Sequence, residues 1–460
     1  LPLSIEDAHI SDVEDINQLS VNGVIAFNRA LRIRREFGQE SVRYLATQGY
    51  GDVPAAVSDL LIFRGETPTP GAGLEALKRK TPAHPVAQAL RPHVVVFMME
   101  SFGSVWWPHE KEFGLLDAFA PHTEQDFLFL NFLSSENGTI GSVVSLATNL
   151  PLRPGARFLS EGEYMRTPLA SSAHLPYKRA GYTTRFVYGG KLGWRQLGAY
   201  LQTQGWEDLE GAGQIRDKRG LRNGPDVGNE WGLFDEHLFN HVHDELARAT
   251  TPQLFLVLST TFHPPFEVPP GHKPAGLAKL TPEQRRLFSK PEDEVLRRLR
   301  TFQYANRQLG QFMEKVKAGP LKDKLAVGVT GDHSFWIGKF GVPFYLYLPG
   351  ALRPAQVDTS RWGSHIDIWP TLYHHTLSEA EYWGFGADLL GGETAALNSA
   401  GIVAGKAGAV AHGATFCWGE NRLLVECATD PGKELLRNFQ RAQIGLTDEF
   451  LRANQEKRLP

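Results

Sequence analysis

Cysteine is nearly absent: Cys417 and Cys427 are the only two in 460 residues. That excludes a disulfide-rich scaffold and a multi-cysteine zinc module. The pair flanks the turn-like stretch Trp418-Gly419-Glu420-Asn421. A hairpin disulfide and two reduced buried thiols both fit, the reduced pair being favoured. Long apolar runs are missing too. The longest, Val94 to Met99 and Leu254 to Leu258, fall far short of the roughly 18 residues of a spanning helix, so the chain reads as soluble. Nor does either sign of charge dominate. Lys and Arg number 48 against 51 acidic residues, a net charge of −3. This argues against a dedicated nucleic-acid binder, which shows a strongly basic stripe, and against disorder. The chain starts at Leu1 and is read as a processed form or an excised piece, so the lack of a leader assigns no compartment.

What is present is a core. Hydrophobic residues make up 42% of the chain, enough for a large folded body. Residues 1–85 read as a helical N-terminal segment and linker. Val24, Phe27 and Leu31 recur at helical spacing, and the text turns loop-like from Gly51 to about Pro85. The body, 86–375, alternates short apolar runs with amphipathic stripes. The runs are Val94–Met99, Thr184–Tyr188, Leu254–Leu258, Leu325–Thr330 and Val342–Leu348. One stripe is Ile140, Val143, Val144 and Ala147; a longer one extends from Val295 to Val316. Unbroken apolar strands alternating with helices predict an α/β fold with a mostly parallel central sheet flanked by helices. Residues 376–460 read as a smaller C-terminal region of Gly-rich short segments, ending in a charged helix from about Lys433.

Ligands of open α/β sheets bind beyond the carboxyl ends of the strands. Those ends carry Glu100-Ser101, Gly331-Asp332-His333, Thr260-Thr261-Phe262-His263 and Gly193-Trp194-Arg195. Each is ordinary alone; their shared edge is what counts. Thr139 precedes the stripe that starts at Ile140, so it falls at a helix start. There a threonine is usually a cap. It can also be a nucleophile, because a helix N-terminus favours an oxyanion and a divalent metal can help remove the hydroxyl proton. Glu100, Asp332 and His333 supply two carboxylates and an imidazole for such a metal. Oxygen-rich ligation with one histidine suits manganese or magnesium, with zinc as an alternative.

The chain resembles the lipoteichoic acid synthase and phosphoglycerol transferase branch of the alkaline phosphatase and sulfatase superfamily, in its Gram-negative form. Val95-Val96-Phe97-Met98-Met99-Glu100-Ser101-Phe102, Gly138-Thr139, Trp231-Gly232-Leu233-Phe234-Asp235, Thr260-Thr261-Phe262-His263-Pro264-Pro265-Phe266, Gly331-Asp332-His333 and His365-Ile366-Asp367-Ile368-Trp369-Pro370-Thr371-Leu372 carry the likeness, in the family's order. Asn22-Gly23 resembles the segment that joins the family's membrane part to its catalytic domain. The resemblance implies one divalent metal, manganese foremost, held by Glu100, Thr139, Asp332 and His333. It implies that Thr139 attacks the phosphodiester of an anionic phospholipid such as phosphatidylglycerol and passes phosphoglycerol to a glycan or polymer hydroxyl. His263 is the implied proton shuttle and, with Trp194 and Arg195, binds the head group. The implied setting is the periplasmic or extracytoplasmic face of a membrane, as the soluble domain of a membrane-anchored parent.

Two departures stand out. Family synthases place one residue between the tryptophan and the arginine, whereas Trp194 and Arg195 are adjacent. His365 is additional, and with His263 it suggests part of a second metal site; a core histidine before a helix is the favoured alternative. Phosphoethanolamine transfer and phosphodiester hydrolysis would use the same machinery. Sulfate-ester hydrolysis is disfavoured, because the Thr139 region lacks the Cys/Ser-x-Pro/Ala-x-Arg pattern. A non-catalytic relative is disfavoured because Thr139, Glu100, Asp332 and His333 are all present. The basic runs Arg32-Ile33-Arg34-Arg35 and Lys78-Arg79-Lys80 read as solvated faces ahead of a membrane-facing surface.

Overall fold

The computed structural model describes residues 43–277, 279–286, 288, 290–334, 341–418 and 424–459. The early helical stretch around Val24 to Leu31, Asn22-Gly23 and the first basic run lie outside them. Seven strands form the central sheet: β1 (His93–Met99), β2 (Phe127–Phe129), β3 (Thr183–Tyr188), β4 (Asp208–Glu210), β5 (Gln253–Leu258), β6 (Leu325–Gly331) and β7 (Phe344–Tyr347). Their spatial order is β2-β7-β6-β1-β5-β3-β4. All but β7 run the same way, and β7 is antiparallel to both β6 and β2. The expected mostly parallel sheet is therefore present.

β1 shows why its sequence is apolar without alternation. Val94, Val96 and Met98 enter one core, whereas Val95, Phe97 and Met99 enter the other. A strand sandwiched between helical layers must be apolar on both faces. One layer contains α2 (Thr139–Thr148), α3 (Leu197–Gln204) and α6 (His365–Thr376); the other contains α4 (Asp235–Arg248) and α5 (Glu292–Ala318). In α5 the buried Val295, Leu299, Phe302, Leu309, Phe312 and Val316 form the expected stripe. Acidic residues Glu292, Asp293 and Glu294 open that helix and Lys315 and Lys317 close it, which complements its dipole.

The stretch read as loop from Gly51 contains a helix, α1 (Val53–Phe63). Asp52 caps it by accepting the Ala55 N–H at 2.9 Å, and Pro54 sits in its first turn. Proline needs no intrahelical acceptor there, so it marks a helix start rather than a break. α1 packs on the C-terminal helix α7 (Pro431–Gln455), where Phe63 and Phe439 lie 4.1 Å apart. Lys78–Lys80 pairs antiparallel with Glu381–Trp383. Its charges are engaged: Arg79 binds Glu66, and Lys80 lies 2.9 Å from Glu379.

The Gly-rich C-terminal segments form a five-stranded antiparallel meander, β8 (Ala396–Asn398), β9 (Ile402–Gly405), β10 (Gly408–Ala411), β11 (Ala414–Trp418) and β12 (Leu424–Glu426). Cys417 and Cys427 form a disulfide with their Cα atoms 5.9 Å apart. This corrects the favoured reading of reduced thiols. Antiparallel pairing of β11 with β12 brings the two cysteines within bridging reach, which spacing alone did not decide.

His174, fully buried 5.0 Å from the Trp206 ring, gives the fold an acid-sensitive point. Burial, aided by the nearby charge of Lys178, lowers its pKa to about 4. A histidine depressed in the folded state protonates first in the unfolded chain. Its contribution is complete above the unfolded pKa near 6.5 and is lost as pH falls toward 4. His174→Phe should reduce the loss of stability between pH 6.5 and 4.5 by about 1–2 kcal/mol. Urea unfolding at both pH values measures this; an unchanged loss would exclude His174 as a source.

Candidate active site

The register of the sheet builds the site. Met99 on β1 pairs with Gly331 on β6, so the next residues, Glu100 and Asp332, emerge side by side. The pairing requires close approach: a Cβ on Gly331 would lie 2.3 Å from the Phe102 carbonyl oxygen. Glu100 and Asp332 are both buried, and His333 is largely so. Ligand atoms of these three residues all lie within 4.8 Å of one another. Burial first, then the charge of Asp332, pushes the Glu100 carboxyl well above the ordinary carboxylate range.

Ser101 shapes the pair. Its left-handed backbone, φ 52°, directs its N–H to Asp332 Oδ1 at 2.7 Å and its hydroxyl to Glu100 Oε1 at 2.8 Å. The Glu100 N–H donates to Ser259 Oγ at 3.0 Å, and the His333 N–H donates to Asp332 Oδ1 at 2.7 Å. A strained non-glycine residue held by such partners is common at functional sites.

Thr139 is the first residue of α2, and the cap position falls to Gly138. Its hydroxyl is therefore not spent on capping. It donates to Asp332 Oδ2 at 2.6 Å and lies 3.5 Å from Glu100 Oε2. The fold thus gathers Glu100, Thr139, Asp332 and His333 from three separate segments. Two buried carboxylates, one strongly raised, form an oxygen-rich pocket with one imidazole nitrogen, which fits a divalent cation.

His263 follows β5. Its Nδ1–H donates to the Pro264 carbonyl at 2.8 Å, which leaves Nε2 as the acceptor nitrogen of the neutral ring. The Trp231 ring packs against it with centroids 3.8 Å apart. Thr261, two residues before His263, is anchored by its hydroxyl to Asp235 Oδ1 at 2.7 Å. Gly232, φ 157°, lets this loop approach the Gly189 carbonyl, which a Cβ would meet at 2.1 Å.

Trp194 and Arg195 follow β3 as expected. The Trp194 ring packs at 6.4 Å from that of Tyr188, whose phenol feels Glu100 and Asp332. Arg195 has φ 49° and pairs with Glu161 at 3.1 Å. Glu136, which sequence reasoning passed over, lies within electrostatic reach of Arg195, His333 and Asp332, with burial raising its pKa. Ser101, Ser259, Glu161 and Trp231 were likewise given no role. Trp231 and Ser101 stood in quoted motifs; Ser259 and Glu161 are single polar residues that nothing in the local pattern distinguishes.

His365 cannot share a second metal. Its Nδ1 accepts the Ser135 N–H at 3.2 Å and its Nε2–H donates to the Gly331 carbonyl at 2.9 Å. Both ring nitrogens are committed, and burial lowers its pKa to about 4. It is a buttress behind Gly331-Asp332, in line with the favoured alternative of a core histidine.

The profile of the sulfatase family matches residues 92–378, more than half of the chain. The chain belongs to the sulfatase family. The matched span contains the whole gathered site. Phosphoglycerol transferase I of Salmonella arizonae is 24% identical over 159 residues, which cover 34% of this chain and 19% of the relative. The aligned part thus spans about a fifth of that relative's length. Among solved structures, an alkaline phosphatase superfamily protein from Vibrio parahaemolyticus superposes with a TM-score of 0.69 at 19% identity, covering 89% of this chain and 97% of that one. The lipoteichoic acid synthase LtaP from Listeria monocytogenes gives 0.61 at 14% identity, covering 82% and 97%. These likenesses establish the fold of this sulfatase-family chain.

Glu100→Gln replaces one of the two buried carboxylates, an expected metal ligand, with an amide. Manganese affinity should fall at least about tenfold, while the metal-free variant should unfold at no lower temperature than metal-free wild type. Metal titration by calorimetry, paired with melting curves after chelation, measures both; undiminished affinity would remove Glu100 from the ligand set.

Proposed function

We propose that the chain is a metal-dependent transferase that takes a phospholipid head group, phosphoglycerol ahead of phosphoethanolamine, and passes it to a glycan or polymer hydroxyl. The carrying observation is the Thr139 hydroxyl, 2.6 Å from Asp332 Oδ2, within the buried carboxylate pair at the start of α2. The family supports the reaction class, and the names of the relatives support phosphoglycerol over sulfate.

The chemistry a bound divalent cation supplies is neutralisation of Glu100 and Asp332 and polarisation of the phosphoryl group. In the first step Thr139 Oγ1 attacks phosphorus and the bond to the diacylglycerol oxygen breaks. The threonine proton leaves toward Asp332 Oδ2 and ends on the departing alcohol. The free N–H groups of the first turn of α2 face the same phosphate. In the second step the acceptor hydroxyl attacks phosphorus and the bond from phosphorus to Thr139 Oγ1 breaks; the acceptor's proton passes to His263 Nε2 and is returned, by way of solvent, to Thr139 Oγ1. Burial lowers the His263 pKa, which favours the neutral, proton-accepting ring. Trp194 and Arg195 bind the head group, with Glu161 holding the guanidinium in place.

Manganese is the expected ion, with magnesium and zinc as alternatives. The expected setting is the periplasmic or extracytoplasmic side of a membrane, attached to a membrane-anchored parent. The Cys417–Cys427 disulfide supports an oxidising compartment. No helix among the described residues is long and apolar enough to cross a membrane.

Manganese-loaded protein incubated with phosphatidylglycerol and phosphatidylethanolamine together should carry a phosphoglycerol adduct on the Thr139 peptide, read by mass spectrometry. Thr139→Ala should lower diacylglycerol release at least about a thousandfold with the fold intact. A phosphoethanolamine adduct would move the donor to the sister class, and full activity of the alanine variant would defeat the nucleophile.

A further inference from the structure

A second cavity, of about 530 Å³, opens where the C-terminal meander meets α1, α7 and the body. It lies within the size range of small-ligand sites. One wall is aromatic: Trp362 and Trp418 stack with centroids 4.6 Å apart and planes 12° from parallel. The Trp418 indole N–H donates to the Gly405 carbonyl at 2.9 Å, and the adjoining Cys417–Cys427 bridge anchors its strand.

The remaining lining is polar and of mixed charge. Arg361 and Lys406 supply positive charge, Asp358 and Glu393 negative. The Arg361 guanidinium donates to the Gly392 carbonyl. Thr394 Oγ1 is buried without a hydrogen-bond partner. A balanced lining gives no preference for a phosphate-rich or strongly charged ligand. Flat indoles suit the C–H face of a pyranose ring, while carboxylates, guanidinium and a hydroxyl suit its ring of OH groups.

The cavity is also tied to the catalytic centre. Asn131 and Trp362 on its wall immediately precede the paired segments Phe132–Leu133 and Gly363–Ser364, which run parallel. His365 and Ser135 lie just past the other end of this ribbon, bonded to each other, with His365 also bonded to Gly331 beside Asp332. Three extended residues, from Trp362 to His365, span at most about 11 Å. A chain-like ligand seated on the tryptophans would therefore lie one short ribbon from His365, which is hydrogen-bonded to the Gly331 carbonyl beside Asp332.

We propose that this cavity is an oligosaccharide-binding site that holds the acceptor glycan. The acceptor role rests on the transferase reading; saccharide binding does not. The test is calorimetric titration of the full chain with maltohexaose, laminarihexaose, cellohexaose and chitohexaose. At least one should bind with a Kd of about 1 mM or tighter. Trp418→Ala should weaken it about tenfold or more, and the exposed Glu393→Ala, which removes no packing from the core, should weaken it measurably. Both variants should release diacylglycerol from phosphatidylglycerol as wild type does without glycan, and Thr139→Ala should bind the sugars undiminished. Where Trp418→Ala fails to fold by its melting curve, Glu393→Ala decides. Binding by no probe, or binding that a folded Trp418→Ala and Glu393→Ala both leave unchanged, overturns the proposal. Sugar binding in a wild type that leaves phosphatidylglycerol intact upholds the site and overturns the transferase reading alone.

Discussion

Two carboxylates at the ends of adjacent parallel strands are the constraint around which the rest is arranged. Parallel neighbours lie roughly 4.8 Å apart, so matching Met99 to Gly331 brings Glu100 and Asp332 together out of water. Like charges at that range oppose ionisation, and burial adds to the opposition. The fold answers with donors: Ser101 bonds both carboxylates, and the His333 N–H bonds Asp332. Neutral donors reduce the cost without cancelling two charges, and Glu100 remains raised. A bound cation, as proposed for this site, would complete the compensation, with His333 as its imidazole donor.

The same constraint explains structure farther away. Gly331 can approach Phe102 only without a Cβ, and His365 holds the Gly331 carbonyl from behind. α6 is in turn fixed at its start by Asp367, whose Oδ2 accepts the Ser364 N–H at 2.9 Å. Asp367 accepts N–H bonds from Ser364 and Ala387 while burial raises its pKa to about 7. The site-facing end of β6 is thus braced by a buried histidine with both ring nitrogens engaged, as the favoured reading of His365 as a core residue expected.

Legibility in the sequence followed how local the physics was. β1, β5 and β6 showed as apolar runs because a doubly covered strand has no polar face, whereas β3 is interrupted by Arg185, whose guanidinium pairs with Glu210 and Glu245; the residues after the runs marked the site edge. β2 and β4, three residues each, are too short for any period to register. α1 was masked by the Pro- and Gly-dense stretch from Thr67 to Gly73, whose loop character was extended back to Gly51 over a helix whose only proline, Pro54, sits in its first turn. Glu100, Asp332 and His333 were legible at strand ends and Thr139 at a helix start, and the structure gathers the four together. Ser101, Glu136 and Glu161 were not legible, because each owes its position to a backbone turn or a partner distant in sequence. The same holds for the disulfide, which depends on the register of β11 and β12.

The meander and the catalytic body share more than a surface. Ser399 donates its N–H to the Ser135 carbonyl at 2.8 Å, and Asn398 donates to the Ser134 carbonyl at 2.7 Å. Both lie at or just beyond β8, and both grip the segment that leads into Gly138-Thr139. Displacing β8 would therefore move the start of α2 and with it the hydroxyl held at 2.6 Å from Asp332. The C-terminal sheet is a structural support of the position of Thr139. Any ligand that stiffens its aromatic wall acts on an element already joined by hydrogen bonds to the segment that carries Thr139.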